Sequence, residues 1–213
     1  MSTPIHIKGA RLIDPSNGTD SVGNMLIVDG KIAAVDSIAP SDTREIDGKG
    51  LVLSPGFIDL HTHLREPGQE DKETIATGVE AGARGGFTTL CCMPNTVPTI
   101  DSATVVNFIE QQAKAVGSVR VLVFGAVTVG REGKQLTDME ELARAGVVGF
   151  TDDGSPVATG FLMQNALLYA GQLGLPVMDH CEDYSISKGL GMNEGWVSSR
   201  LGLPGYPSAA EES

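Results

Sequence analysis

The sequence reads as an α/β protein: about five of the eight strands of a parallel (β/α)8 barrel, preceded by a small β module. Three observations lead there. From Pro55 onward short apolar runs alternate with helical patterns, the signature of parallel βαβ units with strands buried on both faces. Each chemistry-bearing group falls at or just past the C-terminal end of a run, where parallel barrels keep their sites. No Gly-x-Gly-x-x-Gly opens a helix, which disfavours a doubly wound dinucleotide fold.

The elements follow in order. Ile5–Ile13 and Asn24–Asp36 are short apolar runs, the second broken by Asp29-Gly30, a preferred hairpin dipeptide. A second Asp-Gly, at 47–48, precedes Leu51-Val52-Leu53. Residues 1–52 therefore form a sheet module too small to bury much core unaided. In residues 53–213, strands are expected near 57–61, 87–93, 119–127, 147–152 and 175–180, with helices near 72–84, 102–116, 138–145 and 160–173. Thr137-x-x-Glu140 has the form of a capping box for the third helix, which ends at Gly146. The fourth stops at Gly174, before Pro176. A full barrel takes about 250 residues. Five strands, and a further capping pattern at Ser208-x-x-Glu211, lead to the expectation of the N-terminal part of a longer protein.

Composition narrows the function classes. The chain is 41% hydrophobic and 20% charged, with a net charge of −12. That charge argues against nucleic acid or an acidic membrane as partner, though not against an acidic small molecule met by a local arginine and a metal. No apolar run approaches the ~20 residues of a membrane span, and the N-terminus lacks the form of a signal peptide. Three cysteines, two of them adjacent, make no disulfide framework, so a reducing cytoplasm is expected.

The four histidines stand at 6, 61, 63 and 180. His61 and His63, two apart at a strand end, point to one side of the sheet and can grip one metal ion. Asp152-Asp153 and His180 occupy equivalent strand ends. Histidine with carboxylate suits zinc or a similar divalent ion, which acidifies bound water and polarises a carbonyl. Only one of the two aspartates can face the barrel axis, and periodicity does not say which. Glu182 or Asp183 is available to hold the other ring nitrogen of His180. Arg65 offers a planar fork for a carboxylate and Asn95 a matched donor and acceptor. Cys91 and Cys92 read as core residues, and His6 as structural or exposed.

The run Asp59-Leu-His61-Thr-His63-Leu-Arg65-Glu-Pro-Gly-Gln-Glu resembles the dihydroorotases of the amidohydrolase superfamily, of the longer-chain type. So do Lys72-Glu-Thr, Ala81-Gly-Ala-Arg-Gly-Gly-Phe-Thr-Thr, Met93-Pro-Asn95-Thr, Phe150-Thr-Asp-Asp-Gly154 and His180-Cys-Glu-Asp183, in the same order. The resemblance covers essentially the whole chain. It implies a TIM-like barrel beside a small β-sandwich built from both chain ends. It implies one or two zinc ions held by His61, His63, Asp153 and His180, with the second aspartate as the ligand. His63, Arg65 and Asn95 match substrate-binding positions. The implied reaction is the reversible closure of N-carbamoyl-L-aspartate to (S)-dihydroorotate, a step of pyrimidine synthesis, through metal-activated hydroxide. The implied acid/base aspartate lies beyond residue 213, so this stretch alone is expected to be inactive. The resemblance admits a homodimer or an aspartate carbamoyltransferase partner.

Hydantoinases and allantoinases share the barrel and open related cyclic amides. Many carry a carboxylated lysine on the fourth strand, where this chain reads Gly146-Val-Val-Gly-Phe-Thr-Asp-Asp. A non-catalytic dihydroorotase-like scaffold for aspartate carbamoyltransferase is a rival of another class. Such relatives usually lose ligands, and the ligand positions visible here are intact.

Overall fold

In the structure, a computed structural model that describes residues 2–187 and 189–212, the chain divides into two units between Gly56 and Phe57. The first is a β-sheet of β1 (Ile5–Asp14), β2 (Thr19–Val28), β3 (Lys31–Val35), β4 (Arg44–Asp47) and β5 (Val52–Leu53). The order is β3-β2-β1-β4, antiparallel across the first two pairings, and β5 runs parallel to β1 beside β4. Asp29 and Gly30 turn β2 into β3 with φ of 48° and 73°, the left-handed pair that matches strand twist. Ala10, Leu12 and Leu26 are the buried apolar residues of this unit, while Val22, Ile32, Val35, Leu51 and Val52 remain exposed. His6 is 4% exposed and neither of its ring nitrogens has a hydrogen-bond partner, so of the two expected situations it occupies the buried one.

The second unit carries β6 (Phe57–Thr62), α1 (Ile75–Arg84), β7 (Phe87–Cys92), α2 (Ala103–Val116), β8 (Arg120–Gly125), α3 (Met139–Ala145), β9 (Gly149–Thr151), α4 (Gly160–Leu173) and β10 (Val177–Met178). Three short helices follow: α5 (Tyr184–Ser187), α6 (Trp196–Leu201) and α7 (Ala209–Glu212). The five strands pair in sequence order and all in parallel, forming a curled sheet that is part of a barrel. Period-two alternation puts both faces to use. Leu90, Cys92 and Val123 pack outward against Ile75, Val79, Val106, Ile109, Leu142 and Ala166 of the helices. Cys91, Met93 and Phe124 pack in a separate cluster with Leu122, Val148 and Met178. Both adjacent cysteines are thus buried and free, and burial pushes the Cys92 thiol up to about 12. β6 lies at one edge of the sheet, with Phe57, Ile58 and Leu60 exposed.

Local chemistry sets the helix limits. Thr74 and Thr77 form a reciprocal capping box at the start of α1. Thr159 caps α4 by accepting from the Leu162 N–H, and Gly174 ends the helix at φ 70°. The start of α3 corrects the sequence expectation: Asp138, not Thr137, is its cap, accepting from the Glu141 N–H at 2.9 Å. The Thr137 hydroxyl is buried and donates to the Ala126 carbonyl at 2.8 Å, so the chain beyond β8 has claimed it. At Ser208 the backbone carbonyl receives the first turn of α7. Among the described residues, no helix is long and apolar enough to cross a membrane.

Candidate metal centre

β6 delivers the first two ligand candidates. The Met93 N–H donates to the Thr62 carbonyl at 2.9 Å and the Thr62 hydroxyl donates to the Cys91 carbonyl at 2.8 Å. Thr62 is thereby tied to β7, and its neighbours His61 and His63 turn the other way with ring centroids 5.1 Å apart. The end of β9 supplies the third group. Asp153 Oδ1 lies 2.9 Å from His61 Nε2, and Asp153 Oδ2 lies 3.8 Å from His63 Nδ1. Ligand atoms of His61, His63 and Asp153 all fall within 4.8 Å of one another. Two imidazoles and one carboxylate are a donor set that fits zinc and similar divalent ions.

Asn95, just past β7, holds this group together. Its side-chain oxygen is 3.0 Å from His63 Nδ1, and its amide nitrogen donates to Asp153 Oδ2 at 2.9 Å. An outer contact of this kind fixes ring orientation and carboxylate rotamer before any ion binds. Sequence reasoning assigns Asn95 to substrate alone; its bridge to His63 and Asp153 depends on separations of 32 and 58 residues that no local pattern reveals.

The aspartate pair divides its work. Asp152 is 1% exposed and accepts from the Val127 N–H at 2.8 Å, the Thr128 N–H at 3.0 Å and the Thr128 hydroxyl. Burial pushes its carboxyl above the usual range, and the hydrogen bonds from Thr128 and Val127 oppose that shift. It braces the segment after β8 and leaves Asp153 facing the histidines.

His180, beyond β10, is not part of the three-residue group. Its Nε2 is 2.8 Å from Glu182 Oε2, whose other oxygen accepts from the Ser187 hydroxyl at 2.6 Å. Glu182 is held below the usual carboxylate range by the Ser187 and His180 hydrogen bonds. A cleft of about 660 Å³, with Arg131, Ser155, Asp179, Cys181 and Glu182 in its walls, opens at the ends of β9 and β10.

Arg65 follows His63 on a tight turn at φ 60°, uncommon for a residue with a β-carbon. Glu66, which sequence reasoning does not single out, reaches forward nine residues to accept from the Ile75 N–H at 2.8 Å. The only sequence hint is a carboxylate some way ahead of a helix start, a common arrangement with no fixed spacing.

Residues 50–213 match the family described as dihydro-orotase-like. The chain is 48% identical over 211 residues to a dihydroorotase of Syntrophus aciditrophicus, covering 98% of this chain and 50% of that one. It is 49% identical over 207 residues to a dihydroorotase of Aquifex aeolicus, covering 97% and 49%. The chain thus spans about half the length of the curated relatives it matches. Among solved structures it resembles the L-hydantoinase (dihydropyrimidinase) of Arthrobacter aurescens, at TM-score 0.73 and 22% identity, covering 85% of this chain and 41% of that one. It also resembles a dihydroorotase at TM-score 0.59 and 20% identity, covering 83% and 50%. At those identities the two structures speak for the fold alone. The family match over most of the sequence and near-half identity to two dihydroorotases go further, and on them the chain belongs to the dihydro-orotase-like family.

Proposed function

We propose that this chain is part of a zinc-dependent dihydroorotase, interconverting N-carbamoyl-L-aspartate and (S)-dihydroorotate in pyrimidine synthesis. The observation that carries the reading is the convergence of His61, His63 and Asp153 at strand ends of a parallel sheet, in a chain 46–49% identical to proteins named dihydroorotase. His61, His63, Asp153 and His180 would hold the metal, one or two ions, with Glu182 on one ring nitrogen of His180. A divalent ion there supplies Lewis acidity, polarising the ring amide carbonyl and acidifying water. Arg65 binds the substrate carboxylate through its planar fork. Asn95 and His63 meet the polar groups beside it, and Asn95 keeps His63 and Asp153 oriented meanwhile. In this reading residues 1–52 are the N-terminal half of a small β-sandwich and residues 53–213 the first five strands of the barrel. The enzyme is cytoplasmic and acts on a small molecule. Its assembly, with a second copy or with an aspartate carbamoyltransferase, is read by size-exclusion chromatography.

The fold likeness to hydantoinases makes the choice of cyclic amide the discriminating measurement. The full-length protein is loaded with zinc and assayed on dihydroorotate, hydantoin and dihydrouracil, beside H61A and H63A. Turnover of dihydroorotate, lost together with bound metal in both variants, is the expected result. Turnover of hydantoin without dihydroorotate, or full metal content in both variants, overturns the proposal.

A further inference from the structure

The chain between β6 and α1 carries one residue in a disfavoured conformation, and that residue is Arg65. The Glu66 N–H donates to the Leu64 carbonyl at 2.7 Å, closing a three-residue turn with Arg65 at its centre at φ 60°. This is the rarer of the two γ-turn forms, strained for any residue with a β-carbon. Such a conformation persists only where its surroundings over-determine it. Both neighbours of Arg65 are held. Leu64 is 3% exposed and packs so closely on Gly78 of α1 that a β-carbon there would lie 2.6 Å from Leu64 Cδ2. Glu66 reaches across to the same helix, its Oε2 accepting from the Ile75 N–H at 2.8 Å. Ile75 and Val79 are fully buried, so α1 is a fixed platform.

Glu66 satisfies one free donor of α1, the Ile75 N–H, and Thr74 satisfies another. Thr74 already caps α1, its hydroxyl accepting from the Thr77 N–H at 3.1 Å while the Thr77 hydroxyl accepts from the Thr74 N–H at 3.1 Å. What the Glu66 contact adds is a tie between the helix and the residue that closes the Arg65 turn. The loop is also joined to the segment carrying Asn95. The Val97 N–H donates to the Pro67 carbonyl at 2.9 Å, and the Gln69 amide donates to the Asn95 carbonyl at 3.2 Å.

We propose that Glu66 is a positioning residue for Arg65: its carboxylate, bound to the first N–H of α1, holds the strained turn that presents the guanidinium to substrate. The inference rests on the reading of Arg65 as the group that binds the substrate carboxylate. Without the tie, Arg65 relaxes toward ordinary backbone angles and its guanidinium leaves the place where a planar fork can meet a carboxylate with two hydrogen bonds. Glutamine keeps the reach and an acceptor oxygen. Aspartate keeps the charge but is one methylene too short to keep the contact without moving the turn.

The test uses the full-length enzyme, with dihydroorotate as substrate and KM, kcat, bound metal and melting temperature as readouts. E66A and E66D are expected to raise KM about tenfold with kcat and metal content nearly unchanged, and E66Q to recover most of the loss. T74V, which weakens the same helix start without touching the turn, lowers the melting temperature and leaves KM alone. The double variant E66A/R65M is no worse than R65M, because the two residues act through one contact. An E66D with wild-type KM, a T74V that raises KM as E66D does, or full additivity in the double variant overturns the proposal. Should E66A not fold, the E66D and E66Q comparison decides alone. An R65M enzyme with unchanged KM removes the premise instead, and that failure is distinct from an R65M that loses affinity beside Glu66 variants that do not.

Discussion

Replacing Asp152 by alanine tests the division of labour within the aspartate pair. The carboxylate accepts three hydrogen bonds from a buried segment, two from backbone N–H groups at 2.8 and 3.0 Å and one from the Thr128 hydroxyl. Each buried donor left without a partner costs about 1–3 kcal/mol. Partial collapse and water entry reduce the simple sum of three donors, so the loss is about 3–5 kcal/mol. The cost is local before it is global, because the stranded donors lie in one short segment after β8. Hydrogen exchange followed by mass spectrometry on the full-length protein reads it there. Exchange of the amides in 126–133 is expected to quicken roughly a hundredfold or more, since about 1.4 kcal/mol is tenfold. D152N keeps one acceptor oxygen for the backbone and offers its amide to the Thr128 hydroxyl, so it loses about 1–2 kcal/mol. A D152A protein whose exchange in that segment rises less than about fivefold, under about 1 kcal/mol, refutes the bracing role.

Two further outcomes follow from the same geometry. Asn95→Ala removes the amide that orients both His63 and Asp153, and metal affinity, read by competition with a chelator, is expected to fall about 10–100-fold; unchanged affinity shows the bridge to be incidental. Gly68→Ala sets a β-carbon 2.0 Å from the Val97 carbonyl oxygen at a φ of 94°, so a loss of about 2–4 kcal/mol in denaturant unfolding is expected, and a neutral variant refutes the close approach.

Much of this protein is legible residue by residue. Asp29-Gly30 implies its hairpin because only turn residues tolerate two consecutive left-handed conformations, and the structure puts the turn there. Gly146 and Gly174 end their helices in the left-handed region for the same local reason. The α3 cap was not legible, since Thr137 and Asp138 are both good caps and a distant carbonyl, that of Ala126, takes the threonine.

Periodicity and turn chemistry in the sequence determined the order of strands and helices and the placing of His61, His63, Asn95, Asp153 and His180 at strand ends, because these depend on neighbours a few residues apart. Tertiary structure decided the rest. It turned Asp153 to the histidines and Asp152 to the segment after β8, where periodicity left the pair open and only the family resemblance pointed to Asp153, set the Asn95 amide between His63 and Asp153, paired His180 with Glu182, and bound Glu66 to the start of α1. Most of those contacts join residues on separate strands or loops. Even the short His180–Glu182 contact depends on how the chain turns after β10, and side-chain direction at such places is fixed by packing and hydrogen bonding that a linear pattern does not encode.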